Sequence, residues 1–341
     1  MPKYYSEEVK RDSEHHRAYL DGINKFLSDE KENAEKQREK FISPEKYFKN
    51  TEKYRNKLIK TFGFPLTEKR VAPVLKEKKF VARDGNVDIY RMSFVVLGCV
   101  ESYGIYFEQT ENPKDKPFVF CIHGGEGTPE TISSIHFDSG NYNHLARRIT
   151  DKGANVFAPQ MLLWNTETYG TEYKRSYIDG RFRQLGGSIT AFELSVLSSY
   201  ADYFIEHGIA NKDRTGVAGL SYGGMYAVCF AAVDTRIKAC YSCSWVNDCF
   251  VQSWADWSYF NAQKKFTTVE TCAMIAPRPL VVAMGDKDIL FDSNITVKTC
   301  DKVKEYYATL GKSSNFKCVI FDGVHETDKS DEEIDFLLSG L

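Results

Sequence analysis

Six short runs of apolar, β-branched and aromatic residues punctuate the last two-thirds of the chain: FVFCIH at 118–123, NVFAPQ at 155–160, TGVAGL at 215–220, IKACYSC at 237–243, RPLVVAMG at 278–285 and FKCVIF at 316–321. Runs of this length, bounded by turn-forming residues, read as buried strands. Between several of them apolar positions recur at helical spacing, in NYNHLARRITDKG (141–153), SITAFELSVLSSYADYFIEHG (188–208), YGGMYAVCFAAVD (222–234), SNITVKTCDKVKEYYATLG (293–311) and DEEIDFLLSGL (331–341). The alternation predicts an α/β fold with a mainly parallel central sheet flanked by helices, because parallel neighbours need crossovers and helices supply them. Upstream, NVDIYRMSFVV (86–96) and VESYGIYFEQ (100–109) are β-rich and separated by Leu97-Gly98, which predicts an antiparallel pair.

The first seventy residues differ in texture. They are rich in Lys, Glu, Asp, Arg and Tyr, with Tyr19, Ile23, Phe26 and Leu27 at helical spacing. A second helical stretch opens at Ser43-Pro44-Glu45, with Pro at the first helical position, and is expected to run through Tyr47, Tyr54, Leu58 and Ile59 until Gly63 and Pro65 end it. No catalytic signature lies here. Residues 1–75 read as an N-terminal helical arm that packs on a main domain, residues 76–341, or on another subunit, so a homo-oligomer through these helices is expected.

Composition narrows the function. Hydrophobic residues are 42% and charged residues 27% of the 341, a globular profile that excludes a mainly disordered chain. Forty-five Lys+Arg against 47 Asp+Glu leave a formal charge of −2, so no field of one sign draws nucleic acid or an anionic membrane to the whole surface. The nine cysteines are an odd number scattered through apolar stretches, and they read as buried free thiols. Cys240, Cys243 and Cys249 are a weak zinc candidate, since the C-x-x-C lies in a predicted strand and no second pair follows at finger spacing. The first twenty residues lack the apolar core of a signal peptide, and no apolar run reaches membrane-spanning length, so a cytoplasmic location is expected.

Candidate chemistry begins at Gly219-Leu220-Ser221-Tyr222-Gly223-Gly224, between a predicted strand and a predicted helix. A serine on a strained strand-to-helix turn projects above the sheet, and glycines two positions to either side avoid collisions there. The helix N-terminus then faces a developing oxyanion, with the Tyr222 N–H as one donor. A second donor is expected from Gly125 or Glu126 in His123-Gly124-Gly125-Glu126-Gly127, where glycines let backbone approach a substrate carbonyl. His123 itself reads as a brace for that loop rather than a base. No G-K-[ST] or G-x-G-x-x-G follows, which disfavours a phosphate cradle.

A serine nucleophile needs a base and an acid to orient it. Of the seven histidines only His325, in FDGVHETD after a late strand, is placed to reach Ser221 from the carboxyl edge of the sheet. For the acid, Asp286 and Asp288 compete after RPLVVAMG; Asp288 is favoured because its extra distance from Gly285 lets the loop turn toward the histidine, and Asp292 is more distant. The order Ser221, Asp288, His325 is Ser…Asp…His.

On these motifs the chain resembles the α/β-hydrolase superfamily over roughly residues 78–341. More narrowly it is similar to the dienelactone hydrolase-like and acetyl xylan esterase-like group, through His123-Gly124-Gly125, the Gly219–Gly224 elbow, Asp234-Thr235-Arg236-Ile237-Lys238-Ala239 and Gly285-Asp286-Lys287-Asp288. The resemblance implies an α/β-hydrolase fold with an N-terminal helical extension and a serine esterase acting on small acyl esters, acetyl esters of carbohydrates among them, with no metal or organic cofactor. Dienelactone hydrolase activity is associated with a cysteine nucleophile, and this elbow carries Ser221. A serine peptidase or amidase on the same scaffold, and a non-catalytic binding protein, are the competing readings.

Specificity is expected from two long aromatic segments, 161–188 and 245–266. Their Trp164, Tyr169, Tyr177, Trp245, Trp254, Trp257 and Tyr259 are candidates to wall an acyl pocket or stack on a sugar, with Trp164, Trp245 and Trp254 foremost. Arg181 and Arg183 are candidates for a substrate carboxylate or, more simply, for surface ion pairs.

Overall fold

The apolar runs pair into one sheet. The computed structural model describes residues 9–135, 139–163, 173–252 and 254–341. Its strands are β1 (Val74–Asp84), β2 (Val87–Val96), β3 (Val100–Gln109), β4 (Phe118–Ile122), β5 (Asn155–Pro159), β6 (Thr215–Leu220), β7 (Ile237–Cys243), β8 (Leu280–Gly285) and β9 (Phe316–Phe321). They lie in the order β1-β2-β3-β5-β4-β6-β7-β8-β9. The first four in that order pair antiparallel and the remainder parallel. The strand order reverses at β4, so successive crossovers fall on opposite faces and leave a crevice past the strands' carboxyl ends.

The helices are α1 (Val9–Phe41), α2 (Pro44–Lys49), α3 (Thr51–Phe62), α4 (Pro129–Ile132), α5 (Leu145–Asp151), α6 (Arg175–Gln184), α7 (Ile189–Glu206), α8 (Tyr222–Val233), α9 (Thr268–Ala273), α10 (Ser293–Thr309) and α11 (Glu332–Ser339). The central strands are buried along almost their whole length because both faces are covered. Phe118, Phe120 and Ile122 of β4 enter a core with α7 and α8, while Val119 and Cys121 enter a second core with α5 and α11. The same two-residue period separates Cys240 and Cys243 of β7, which face different cores. Among the described residues no group of His, Cys, Asp or Glu is arranged to hold a metal ion, and no helix is long and apolar enough to cross a membrane.

Two elements depart from expectation. The helix expected from Pro44 onward is two, because Asn50 ends α2 and caps α3: its N–H bonds the Tyr47 carbonyl while its side chain accepts from the Lys53 amide at 3.0 Å. β1 carried no clear signal, since ten of its eleven residues are exposed and no buried face imposes alternation. Tyr47, Tyr54, Leu58 and Phe62 from α2 and α3 are buried in the larger core beside α8.

Helix α8, which carries the elbow, is held at its far end by two guanidiniums. Arg278 donates to the carbonyls of Ala231 at 2.7 Å, Ile275 at 3.0 Å and Met274 at 3.2 Å, and Arg55 donates to that of Ala232 at 3.0 Å. These cations satisfy the last carbonyls and complement the negative end of the helix. Burial, with the neighbouring Arg55, pushes the Arg278 pKa down to about 10, so it stays charged at neutral pH.

Candidate active site

Ser221 sits between the last residue of β6 and the first of α8 with φ 58° and ψ −120°, outside the regions that L-residues ordinarily occupy. Its amide is tied to the Cys243 carbonyl at 2.8 Å. The elbow leaves no room for side chains at its flanks. A Cβ on Gly219 would strike the Gly223 backbone, and one on Gly223 would strike the carbonyls of Ile122 and His123. Ser221 makes no side-chain cap to α8, so the positive end of that helix opens at the serine itself.

The loop after β4 lies alongside. A Cβ placed on Gly124 would be 3.3 Å from that of Ser221, which puts the His123–Gly127 loop beside the serine. His123 is fully buried; its Nδ1 donates to the Gly124 carbonyl at 2.8 Å and its Nε2 accepts the Met161 amide at 3.1 Å. Burial lowers its pKa to about 4, so it is a neutral brace. Glu126 has φ 56°, which turns the backbone after Gly125.

Past β8 the three aspartates separate by role. Asp288 accepts from His325 Nδ1 at 2.7 Å and from the amides of Leu290 at 2.8 Å and Phe291 at 3.2 Å. Its side chain has no exposed surface. Burial alone would raise its pKa, but the His325 hydrogen bond and charge and the two amides outweigh it and hold the carboxyl below its ordinary range. Asp286 is exposed and accepts from the Gly323 amide at 3.1 Å, bracing the neighbouring turn. Asp292 accepts from the Asn294 amide at 2.8 Å and caps α10.

The loop carrying His325 is stapled toward the serine by residues with no motif signature. The Cys243 thiol donates to the Glu326 carbonyl at 3.2 Å, and the same residue's carbonyl holds the Ser221 amide. Asn141 donates to the His325 carbonyl at 3.3 Å, Asn143 to the Thr327 carbonyl at 2.6 Å, and the Thr327 hydroxyl to the Tyr142 carbonyl at 2.7 Å. The Tyr142 hydroxyl accepts the Gly124 amide at 2.8 Å. One residue thus ties the loop beside Ser221 to the loop that carries His325. Tyr142→Phe removes that acceptor, worth about 1.4 kcal/mol or roughly a tenfold fall in kcat. Steady-state kinetics on an activated ester checks this, with KM expected to stay within about twofold.

An aromatic wall borders the same edge. Tyr222 lies 4.9 Å from Trp257, Trp257 stacks on Phe291 at 5.9 Å, and Phe291 stacks on the His325 ring at 5.8 Å. Trp254 lies 4.4 Å from Trp257, and Trp245 is buried behind it with 4% exposure. Tyr259 donates to Thr190 at 3.0 Å, Tyr177 is exposed, and Trp164 and Tyr169 fall outside the described residues. Beneath the wall Arg175 bonds Asp256 at 2.6 Å and the Tyr226 hydroxyl at 2.6 Å, while the Tyr222 hydroxyl donates to Asp256 at 2.9 Å. This buried pair joins the segments 161–188 and 245–266 to the first turn of α8. Of the two arginines weighed for substrate binding, Arg183 pairs with Asp179 at 2.6 Å and Arg181 is exposed. A cleft of about 490 Å³ between α1 and α10, lined by Lys31, Arg38, Asn247 and Lys298, contains none of the candidate catalytic or substrate-binding residues.

Comparison with solved structures bears on the architecture. A Bacteroides fragilis protein provisionally assigned as an acetyl xylan esterase superposes with a TM-score of 0.63 at 18% identity, covering 83% of this chain and 76% of its own. A glucuronoyl esterase from Solibacter usitatus superposes with a TM-score of 0.66 at 13% identity, covering 87% and 93%. The chain has the α/β-hydrolase fold. Ser221, Asp288 and His325 follow the carboxyl ends of β6, β8 and β9. No family model matches the chain. In sequence it is 30% identical over 129 residues to the Bacillus subtilis (strain 168) protein YtaP, whose naming as a hydrolase is provisional. That match spans 36% of this chain and 43% of YtaP.

Proposed function

We propose that the protein is a serine carboxylesterase that hydrolyses small acyl esters through an acyl-enzyme. Ser221 attacks the ester carbonyl while His325 Nε2 takes its proton, and Asp288 holds the imidazole in the tautomer that leaves Nε2 free to accept. The N–H of Tyr222 and one from Gly125 or Glu126 receive the oxyanion, aided by the positive end of α8. His325 then protonates the departing alcohol, and water repeats the sequence on the acyl-enzyme. No step requires a metal or organic cofactor.

The observation that carries this reading is the 2.7 Å hydrogen bond between His325 and the enclosed Asp288, on the same edge as a serine held at positive φ with no cap on its helix. An imidazole oriented by an ionised carboxylate is what a serine hydroxyl needs to become nucleophilic. The aromatic wall beside Tyr222, and the names acetyl xylan esterase and glucuronoyl esterase borne by the structural neighbours, favour esters in which a carbohydrate is one partner. All nine cysteines are free thiols, which favours the reducing cytoplasm.

Two assays test it. A fluorophosphonate probe is expected to label Ser221, identified by peptide mapping. p-Nitrophenyl acetate is expected to turn over at least about 100-fold faster than an aminoacyl anilide in kcat/KM. The reverse preference would make the protein a peptidase, and absence of labelling would make it a binding protein.

A further inference from the structure

The N-terminal half of α1 is a long apolar stripe facing solvent. Tyr19, Leu20, Ile23, Phe26 and Leu27 are 73%, 56%, 39%, 63% and 45% exposed. At about 100° per residue they fall within an arc of roughly 120° centred on Ile23. The helix is anchored only farther along, where Lys31 pairs with Asp248 at 2.7 Å, Ala34 is buried and Arg38 pairs with Glu270 at 3.1 Å. Residues 10–30 are exposed throughout, about 30 Å of helix at 1.5 Å per residue. An isolated helix gains little stability from propensity alone, so such a stripe wants a partner surface.

The stripe is its own complement. Tyr19 and Leu20 precede Ile23 by four and three residues, and Phe26 and Leu27 follow it by three and four. Two copies lying antiparallel about a two-fold axis at Ile23 therefore set Tyr19 against Leu27, Leu20 against Phe26 and Ile23 against itself. The ends agree in charge. Arg17 lies at one end of the stripe and Asp29 at the other, so an antiparallel pair sets Arg17 against Asp29, whereas a parallel pair sets like against like. His16 and Glu30 stand seven residues, two helical turns, to either side of Ile23 and close the two ends of the seam. An anionic membrane fits less well, because residues 10–30 carry four Lys+Arg (Lys10, Arg11, Arg17, Lys25) against five Asp+Glu (Asp12, Glu14, Asp21, Asp29, Glu30).

We propose that two copies of the chain dimerise by antiparallel packing of α1 against α1 over residues 15–30, with the two-fold axis at Ile23. Sedimentation equilibrium of the full chain is expected to show a monomer–dimer equilibrium. Ile23→Glu with Phe26→Glu, both at exposed positions where the monomer tolerates charge, is expected to weaken it at least about 100-fold with unchanged circular dichroism. The register is tested by oxidative crosslinking, with the unsubstituted chain reporting any background from exposed Cys99. Ile23→Cys is expected to crosslink to itself, and Tyr19→Cys to crosslink with Leu27→Cys in a mixture but not with itself. Self-crosslinking of Tyr19→Cys with none at Ile23→Cys, a chain monomeric up to roughly 100 μM, or an association that the double Glu variant leaves intact would each overturn the proposal.

Discussion

Ser221→Ala is expected to lower kcat/KM for an activated acetyl ester by about 10⁴-fold to 10⁶-fold, the range seen when a serine nucleophile is removed from an otherwise intact site. The substitution deletes one oxygen from a residue that is only 9% exposed. Alanine and serine meet the same backbone penalty at φ 58°, so the elbow keeps its shape. The cap of α8 is not lost either, because the serine side chain makes none. Melting temperature is therefore expected to shift by no more than a few degrees. Fluorophosphonate labelling is expected to vanish altogether. Activity within about tenfold of the unsubstituted chain would assign the nucleophile elsewhere.

Asp288→Asn and Asp286→Asn form the second test, and they are expected to separate by about three orders of magnitude or more. The Asp288 carboxylate accepts from His325 and from two backbone amides. Asparagine has one acceptor oxygen. If it serves the amides of Leu290 and Phe291, its NH₂ faces Nδ1, drives the ring proton to Nε2 and removes the acceptor that Ser221 needs, at a cost of about 10⁴ in kcat. Asp286 accepts the Gly323 amide, and asparagine accepts that equally well, so kcat is expected to stay within about threefold. Loss of most activity from Asp286→Asn alone would show that the loops rearrange when substrate binds.

The lowered pKa of Asp288 also has a sign. Because the folded state favours the ionised form, its stabilising contribution is present above the ordinary carboxylate range near 4 and is lost as pH falls through the lowered folded value. In Asp288→Asn that contribution is absent at every pH.

Much of the framework was legible in the residues. Strands β6, β7 and β8 lie within the apolar runs that predict them, because both faces of a central strand are covered and the signal is continuous. β1 was not legible for the converse reason: it lies at the edge, exposed, with nothing to select apolar positions. The break at Asn50 left only a capping residue as its trace, since α2 and α3 share one apolar face. In the site, the elbow was legible from glycines whose spacing has a steric cause. Tyr142 was not, because a tyrosine whose hydroxyl takes a loop amide looks like any core aromatic until the loop is beside it. Arg175 carries no sequence signal that sets it apart from Arg181 and Arg183; its burial and its pairing with Asp256 do.

The sequence alone determined the alternation of strands and helices, the turn that lifts Ser221 to the sheet's edge, and the set of candidates for base and acid, because each depends on side-chain period or on local sterics. Only the tertiary structure put Asp288, rather than Asp286 or Asp292, in hydrogen-bond contact with His325, and joined Tyr142 to both loops. Those outcomes turn on which atoms meet across tens of residues: Asp288 with His325 37 positions on, Thr327 with Tyr142 185 positions back. Such contacts are set by the pairing of β8 with β9 and by the path of the loops beyond them, which no local pattern encodes.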